Sequence, residues 1–131
     1  MKRKAINPSS WSIPYGFNQA ELIEGPKATL YCSGQTAMDK DGKPQHVGDM
    51  RGQITLAFEN VEAILWDANM SLSNVVRLVV YTTDVDSLLK NFDIVSSRLK
   101  AADVLPSQTM LGVNRLFLPQ LLVEIEVTAV A

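Results

Sequence analysis

The chain has 131 residues, with 12 Lys and Arg against 14 Asp and Glu, so its formal net charge is −2 at pH 7. A chain of this length forms one domain, residues 1–131, and its 47% hydrophobic residues can fill a core without disulfides or metals. The balance of charge argues against a nucleic-acid partner. The apolar runs are far shorter than the ~20 residues that cross a bilayer, which argues against a membrane span.

The cysteine and histidine counts limit metal and redox chemistry. One cysteine, Cys32, excludes an intramolecular disulfide, and the single histidine, His46, cannot complete a metal cage with it. No nucleotide or flavin fingerprint is present, so we predict neither a metal nor a cofactor. The basic residues at the N-terminus are followed by the polar segment 7–10 rather than by the apolar core of a signal peptide. We therefore expect a cytoplasmic protein.

The N-terminal part of the chain contains two short strand candidates and a loop. The strand candidates are residues 19–24 and 28–33, and residues 25–27, Gly-Pro-Lys, form a turn-like break between them. We therefore predict that the two strands pair as a hairpin. The polar segment 39–44 predicts a loop.

After residue 49 the hydrophobic pattern takes the period of a helix. Asp49 can cap the N-terminus of this helix, and the pattern stops at Asn69. The residues that fall on its apolar face are Met50, Ile54, Ala57, Phe58, Val61, Ile64, Leu65 and Ala68.

The C-terminal half continues with a strand, a helix and two strands. Residues 75–83 are rich in β-branched side chains and predict a strand. A second helix follows and ends before Pro106. Its apolar face collects Leu88, Phe92, Val95, Leu99 and Ala102. Two strands, roughly 109–114 and 122–130, close an α+β fold of order ββαβαββ, with one mixed sheet and both helices on one of its faces.

The other face of this sheet needs a cover. Alternation along the strand 75–83 gives both faces large apolar side chains. One face receives Val76, Leu78 and Val80, and the other receives Val75, Val79 and Tyr81. A bare apolar face exceeds what a monomer usually exposes, so we predict a symmetric oligomer, with a strongly curled sheet closing on itself as the alternative.

Four segments together resemble the RidA/YjgF family, the reactive-intermediate deaminases. They are the string Cys-Ser-Gly-Gln at 32–35, the helix from Asp49, the strand 75–84, and the terminal string 122–130, which contains Val-Glu-Ile-Glu. The resemblance covers nearly the whole chain. It implies a chorismate-mutase-like fold, a homotrimer whose sheets face a central barrel, and a small-molecule cleft at each subunit interface.

The resemblance also implies site residues, and this sequence departs from the family at one of them. In the active deaminases an arginine in a Pro-x-Arg-Ser string binds the carboxylate of a small imino acid. The string at 106–109 is Pro-Ser-Gln-Thr, so Gln108 takes the arginine's position, beside Thr109. An amide has neither the charge nor the planar fork of a guanidinium, so we expect weaker capture of carboxylates. Another cation could take over carboxylate binding from the missing arginine. Arg115 is one candidate, and the alternative for it is a solvated residue of a hairpin. Arg77 is the other, and the alternative for it is an ion pair at the subunit interface.

Glu124 matches the family's catalytic glutamate, which helps to place the attacking water. Alternation puts Glu124, Glu126 and Thr128 on the sheet face that we expect a neighbour to cover. Partial burial there would raise the pKa of either carboxyl and make it a usable general acid or base. The alternative is a polar lining of the interface.

Further substrate-binding positions follow from the resemblance. Phe17 aligns with a cleft tyrosine of the family, and Met110 replaces a frequent cysteine. Ser33 and Gly34 match the family's cleft serine and the glycine after it.

The position of the family's helix asparagine stays open. Asn91 matches it when the chain is counted back from Pro106, whereas alignment on the apolar face of the helix puts Phe92 there.

Three functions are compatible with these residues. The first is hydrolysis of an enamine or imine with release of ammonia, on a substrate other than the usual small 2-imino acids. Phe17, Met110 and Phe117 would favour a larger and more apolar ligand, although a carboxylate stays open. The second is a non-catalytic member of the family that binds a small molecule. An endoribonuclease is disfavoured, because the chain lacks a basic groove and a histidine pair.

Overall fold

A computed structural model describes residues 1–131 and has the predicted α+β architecture. The strands are β1 (Lys2–Ile6), β2 (Ala20–Glu24), β3 (Thr29–Tyr31), β4 (Val75–Thr82), β5 (Ser107–Gly112) and β6 (Val123–Val130). The α-helices are α1 (Met50–Asp67), α2 (Val85–Asn91) and α3 (Asp93–Ala101), and single 3-10 turns occur at Ile13–Tyr15 and Leu72–Asn74. None of the helices combines the length and apolar character that a membrane crossing requires.

The core of the fold is a four-stranded mixed sheet in the order β3-β6-β4-β5. Strand β6 is antiparallel to both β3 and β4, whereas β5 is parallel to β4. Helix α1 packs against β6, α2 and α3. The predicted succession ββαβαββ is present from β2 to β6, with the second helix divided into α2 and α3.

The predicted hairpin between residues 19–24 and 28–33 is wrong. Strand β2 pairs with β1, a strand that the sequence analysis did not identify, and β3 pairs with the end of β6. Long-range contacts of Arg3 on β1 stabilise the observed pairing of β1 with β2. Its guanidinium binds the carboxylate of Glu21 through two bonds of 2.7 and 2.8 Å. It also donates to the carbonyl oxygens of Ser73 and Val75 at 2.7 and 2.6 Å.

The two predicted helices form, but the second is interrupted at Phe92. In α1 the side chain of Asp49 accepts a hydrogen bond from the Gly52 N–H, which confirms the predicted cap. The helix stops where Asn69 takes a left-handed backbone with φ of 56°. Asp93 lies in the first turn of α3, where a carboxylate favours the start of a new helix.

A β-bulge in β4 changes the predicted distribution of its side chains. The register against β6 shifts between Val75 and Arg77, and Val75, opposite Ala129, is fully buried in the core beneath the helices. The prediction that Val75 shares a face with Val79 and Tyr81 is therefore wrong.

Gln53 is a fully buried polar residue of α1 that holds the segment entering β6. Its Nε2 donates to the carbonyl oxygens of Gln120 and His46 at 2.8 and 3.3 Å, and its Oε1 accepts from the Leu122 N–H at 2.8 Å. Helix α1 thereby fixes the backbone two residues before Glu124.

Replacing Gln53 by Met should lower the free energy of unfolding by about 2 kcal/mol or more, since each buried polar group left unpaired costs about 1–3 kcal/mol. Urea unfolding followed by circular dichroism measures this loss. Gln120→Met is the matched control, because the Gln120 side chain is exposed and only its backbone carbonyl takes part. An unchanged unfolding midpoint in Gln53→Met would show that these bonds do not brace the fold.

Candidate functional site

The sheet face opposite the helices carries a group of ionisable side chains at its centre. Tyr81 on β4 lies opposite Glu124 on β6, and Val79 lies opposite Glu126. The Tyr81 hydroxyl donates a hydrogen bond to the Glu126 carboxylate. That bond, with burial and the nearby charges, raises the pKa of Tyr81. Both glutamates are on the predicted face.

Glu124 is held against the backbone of Gly34. A Cβ atom built on Gly34 would lie 2.1 Å from Oε1 of Glu124 and 2.6 Å from its Cδ, so only glycine allows this approach. The side chain is half-buried. Burial, followed by repulsion from Glu126, raises the pKa of the Glu124 carboxyl. A raised pKa makes this carboxyl a candidate general acid or base.

These residues line a hollow of about 380 Å³, which we call the glutamate cavity. Its lining residues are Gly34, Tyr81, Val113, Arg115, Leu116, Phe117, Glu124 and Glu126. The guanidinium of Arg115 donates to the carbonyl oxygens of Leu116 and Phe117 at 3.3 and 3.5 Å. Arg115 forms no ion pair within the chain. Its guanidinium therefore lines the same cavity as Glu124 and Glu126 without being paired to either carboxylate.

A second hollow, of about 430 Å³, contains most of the other predicted site residues, and we call it the aromatic cavity. Its lining residues are Trp11, Tyr15, Phe17, Val80, Leu89, Phe92, Gln108, Thr109 and Met110. The Trp11 ring makes edge-to-face contacts with Tyr15 and Phe17, with centroid distances of 6.4 and 5.6 Å. Trp11 and Tyr15 are lining residues that were not predicted, although three aromatic residues within seven positions were a signal for them.

Gln108, at the family's arginine position, has a structural contact in this cavity. Its Nε2 donates to the carbonyl oxygen of Gly16 at 3.1 Å. This bond joins β5 to the turn that presents Trp11, Tyr15 and Phe17. The side-chain oxygen of Gln108 is left available as an acceptor.

Two predicted residues line neither cavity within one chain. Asn91 donates its side-chain amide to the carbonyl oxygen of Ser87 in the same helix, whereas Phe92 lines the aromatic cavity. Ser33 is exposed, and its carbonyl oxygen accepts from the Gln35 side chain at 3.2 Å. Their roles in binding stay predictions.

The two cavities lie on opposite sides of the sheet. In β5, Gln108 is opposite Leu78, which belongs to the core beneath the helices, whereas Glu124 is directed to the other face. The cavities have no lining residue in common. No group of three or more His, Cys, Asp or Glu side chains is arranged to hold a metal ion. Within one chain, Gly34 therefore lies beside Glu124 in the glutamate cavity. Phe17, Thr109 and Met110 lie with Gln108 in the aromatic cavity. The two groups of predicted site residues remain separate.

Replacing Gly34 by Ala should move the Glu124 carboxyl away and return its pKa towards the ordinary value. In the wild type the raised pKa means that the native state holds this proton more tightly than the unfolded chain. The free energy of unfolding therefore falls as pH rises above about 4.3, the ordinary glutamate pKa.

Carboxyl-carbon NMR titration measures the pKa directly, and urea unfolding across the same pH range measures the loss of stability. Both effects should shrink in Gly34→Ala and vanish in Glu124→Gln. Glu24→Gln, on an exposed residue, should leave them unchanged. A wild-type pKa equal to that in Gly34→Ala would contradict this account of the site.

Comparison with known proteins identifies the family of the chain. Residues 16–131 match the model of the family described as Endoribonuclease L-PSP. A RutC family protein of Aquifex aeolicus is 32% identical over 120 residues, which cover 90% of this chain and 91% of that protein. The mitochondrial protein mmf2 of Schizosaccharomyces pombe is 29% identical over 131 residues, with coverage of 100% and 98%.

Solved structures show the same fold. A Rid family protein of unknown function, YyfB from Yersinia pestis, superposes with a TM-score of 0.84 at 29% identity, covering 100% of both chains. The YjgF gene product of E. coli superposes with a TM-score of 0.70 at 22% identity over 87% of each chain, which supports the fold alone. The match to the family model spans most of the chain, and the relatives match it almost end to end. This chain therefore belongs to the RidA/YjgF family.

Proposed function

We propose that this protein hydrolyses an enamine or imine, with release of ammonia, on a substrate other than the usual small 2-imino acids. The observation that carries the proposal is the Glu124 carboxyl, which has a raised pKa and lines a cavity against Gly34. Family membership suggests the class of reaction, and Gln108 in place of the arginine weakens the usual mode of carboxylate binding.

The chemistry needs one group that can both accept and return a proton. An enamine first tautomerises to the imine. Water then adds to the carbon of the protonated imine as the Glu124 carboxylate accepts a proton from the water, and the nitrogen takes the electron pair of the C=N bond. The Glu124 carboxyl returns that proton to the nitrogen of the carbinolamine. The C–N bond then breaks with release of ammonia, and the carbinolamine hydroxyl gives its proton to the Glu124 carboxylate as the carbonyl forms. Such substrates are already reactive, so orienting one water beside one carboxyl contributes much of the rate.

The proposed choice of substrate follows from the absence of a positive charge in the aromatic cavity. Gln108 offers an amide where a guanidinium would bind a carboxylate, and that amide already donates to Gly16. Loss of one charge-assisted contact, about 1.5–3 kcal/mol, lowers affinity by roughly ten- to a hundredfold. Small 2-imino acids, which offer little apart from their carboxylate, are therefore poor ligands.

A complete site requires a second copy of the chain, because the two cavities face opposite sides of one sheet. The homotrimer implied by family resemblance would cover the face that carries Glu124. That face has no helix over it and leaves Tyr31 81% and Leu111 46% exposed. We therefore extend the proposal to a cleft between subunits, in which one copy contributes Gln108 and its neighbour contributes Glu124. A cytoplasmic location stays a prediction, and one relative is named as mitochondrial.

Replacing Tyr31 by Glu should dissociate the oligomer, since it buries three additional negative charges in an interface that already contains Glu124 and Glu126. Trp66→Glu is the matched control: Trp66 is 80% exposed, but on the helical side. Light scattering coupled to size exclusion should give a trimer mass for the wild type and for Trp66→Glu, and a monomer for Tyr31→Glu. A monomeric wild type would remove the shared cleft from the proposal.

Replacing Glu124 by Gln should lower kcat about 10²- to 10⁴-fold, the usual contribution of a general acid–base group. The assay is ammonia release from a freshly generated uncharged aromatic enamine, compared with 2-iminopropionate. Glu24→Gln is the control on an exposed carboxylate. Gln108→Arg should gain activity on 2-iminopropionate. Full activity in Glu124→Gln would show that another group does the chemistry.

The second candidate is a family member that binds a small molecule without turnover. It is favoured by the bond between Gln108 and Gly16, which uses the residue at the arginine position to build a wall of the cavity. Ligand binding with no ammonia release from either substrate would select it. Hydrolysis of RNA, which the description of the family model suggests, has less support in a chain of net charge −2.

A further inference from the structure

The aromatic cavity has the size and lining of a site for one ring-sized ligand. Its volume of about 430 Å³ lies within the range of small-molecule sites. Four of its nine lining residues are aromatic, and Val80, Leu89 and Met110 add aliphatic surface. Rings pack well in such surroundings, since edge-to-face and offset contacts between aromatic groups are favourable.

The cavity contains no charged side chain. None of its nine lining residues is Asp, Glu, Lys, Arg or His, and the residues with polar side-chain atoms are Gln108, Thr109, Tyr15 and Trp11, whose indole N–H is a donor. A carboxylate placed there would lose water without gaining an opposite charge, which is costly. The lining that one chain supplies therefore selects against carboxylates, and Glu124, which the proposed cleft adds from a neighbouring copy, offers them no opposite charge.

Gln108 defines the polar group that the ligand should carry. One of its N–H groups donates to Gly16, so a second N–H and the carbonyl oxygen remain for a partner. A primary carboxamide presents the complementary acceptor and donor side by side, whereas a carboxylate presents acceptors only.

Two of the aromatic side chains that would contact this ligand are exposed in the single chain without ligand. Trp11 is 58% and Tyr15 74% exposed, although both belong to the aromatic group around Phe17. A ring packed against them would remove this apolar surface from water, which favours binding.

We infer that the aromatic cavity binds an uncharged aromatic compound bearing a carboxamide or a similar donor–acceptor group, and that Gln108 selects it over the corresponding carboxylate. The inference depends on the proposed function in one respect, which is that this class of compound would be the substrate of the reaction. Binding itself requires no turnover.

The experiment uses benzamide and benzoate, which have nearly the same shape and differ in charge and in hydrogen-bond donors. The chain has two tryptophans, and Trp66 lines a different hollow, so Trp66→Phe leaves Trp11 as the single reporter. Each probe is titrated into this variant, with Trp11 fluorescence and isothermal calorimetry as readouts. Benzamide should bind about tenfold more tightly than benzoate, or better.

Two further variants assign the preference to Gln108. In the Trp66→Phe background, Gln108→Arg should reverse the order of the two probes. Gln120→Arg adds the same charge at an exposed position and should leave the order unchanged. Thermal unfolding of each variant verifies that it is folded. Equal or tighter binding of benzoate to the parent, or no binding of benzamide by either readout up to its solubility limit, would overturn the inference.

The outcome separates this inference from the proposed function. Benzamide binding without ammonia release from any imine would leave the binding site standing and remove the catalytic role. Ammonia release that depends on Glu124, together with tighter binding of benzoate than of benzamide, would keep the catalytic role and refute the ligand class.

Discussion

The antiparallel pairing of β4 with β6 at the centre of the sheet decides which side chains can do chemistry. Along β6 the residues Val123, Ile125, Val127 and Ala129 are buried, whereas the residues between them face the other side. A shift of one position would carry Glu124 and Glu126 into the core, where unpaired carboxylates are costly, and would expose the apolar set. The register is therefore strongly specified, and the position of the two glutamates follows from core packing.

The loop after β3 is bound to the same strand, which gives Glu124 its surroundings. The Gln35 N–H donates to the Ile125 carbonyl at 2.7 Å, and the Ile125 N–H donates to the Gln35 carbonyl at 2.9 Å. Gly34 is thereby fixed beside Glu124. Gln53 holds the other end of the segment through Leu122. Backbone bonds on both sides explain how a flexible side chain comes to be half-buried at the edge of a cavity.

Local periodicity was sufficient for α1, for the succession of elements from β2 to β6 and for the face of Glu124, because these depend on neighbours a few residues apart. It failed where distant groups decide. The pairing of β1 with β2 depends on Arg3 reaching Glu21 and Val75, which no local pattern reveals. The bulge after Val75 reverses the side on which that residue lies. The division of the site into two cavities depends on the register of β4 with β5 and β6, which pairs residues far apart in the sequence and cannot be read from local periodicity.

The hydrogen bond between Gln108 and Gly16 shows which structural role glutamine keeps at the position where the family has an arginine. An arginine at this position could still donate to the Gly16 carbonyl, since a guanidinium has five N–H groups, and it would add a charge to the cavity. A glutamine keeps the connection to the turn of Trp11, Tyr15 and Phe17 while leaving the cavity neutral. The wall of the cavity therefore does not depend on the charge. Substitution at position 108 changes which ligands the cavity selects more than whether the cavity exists.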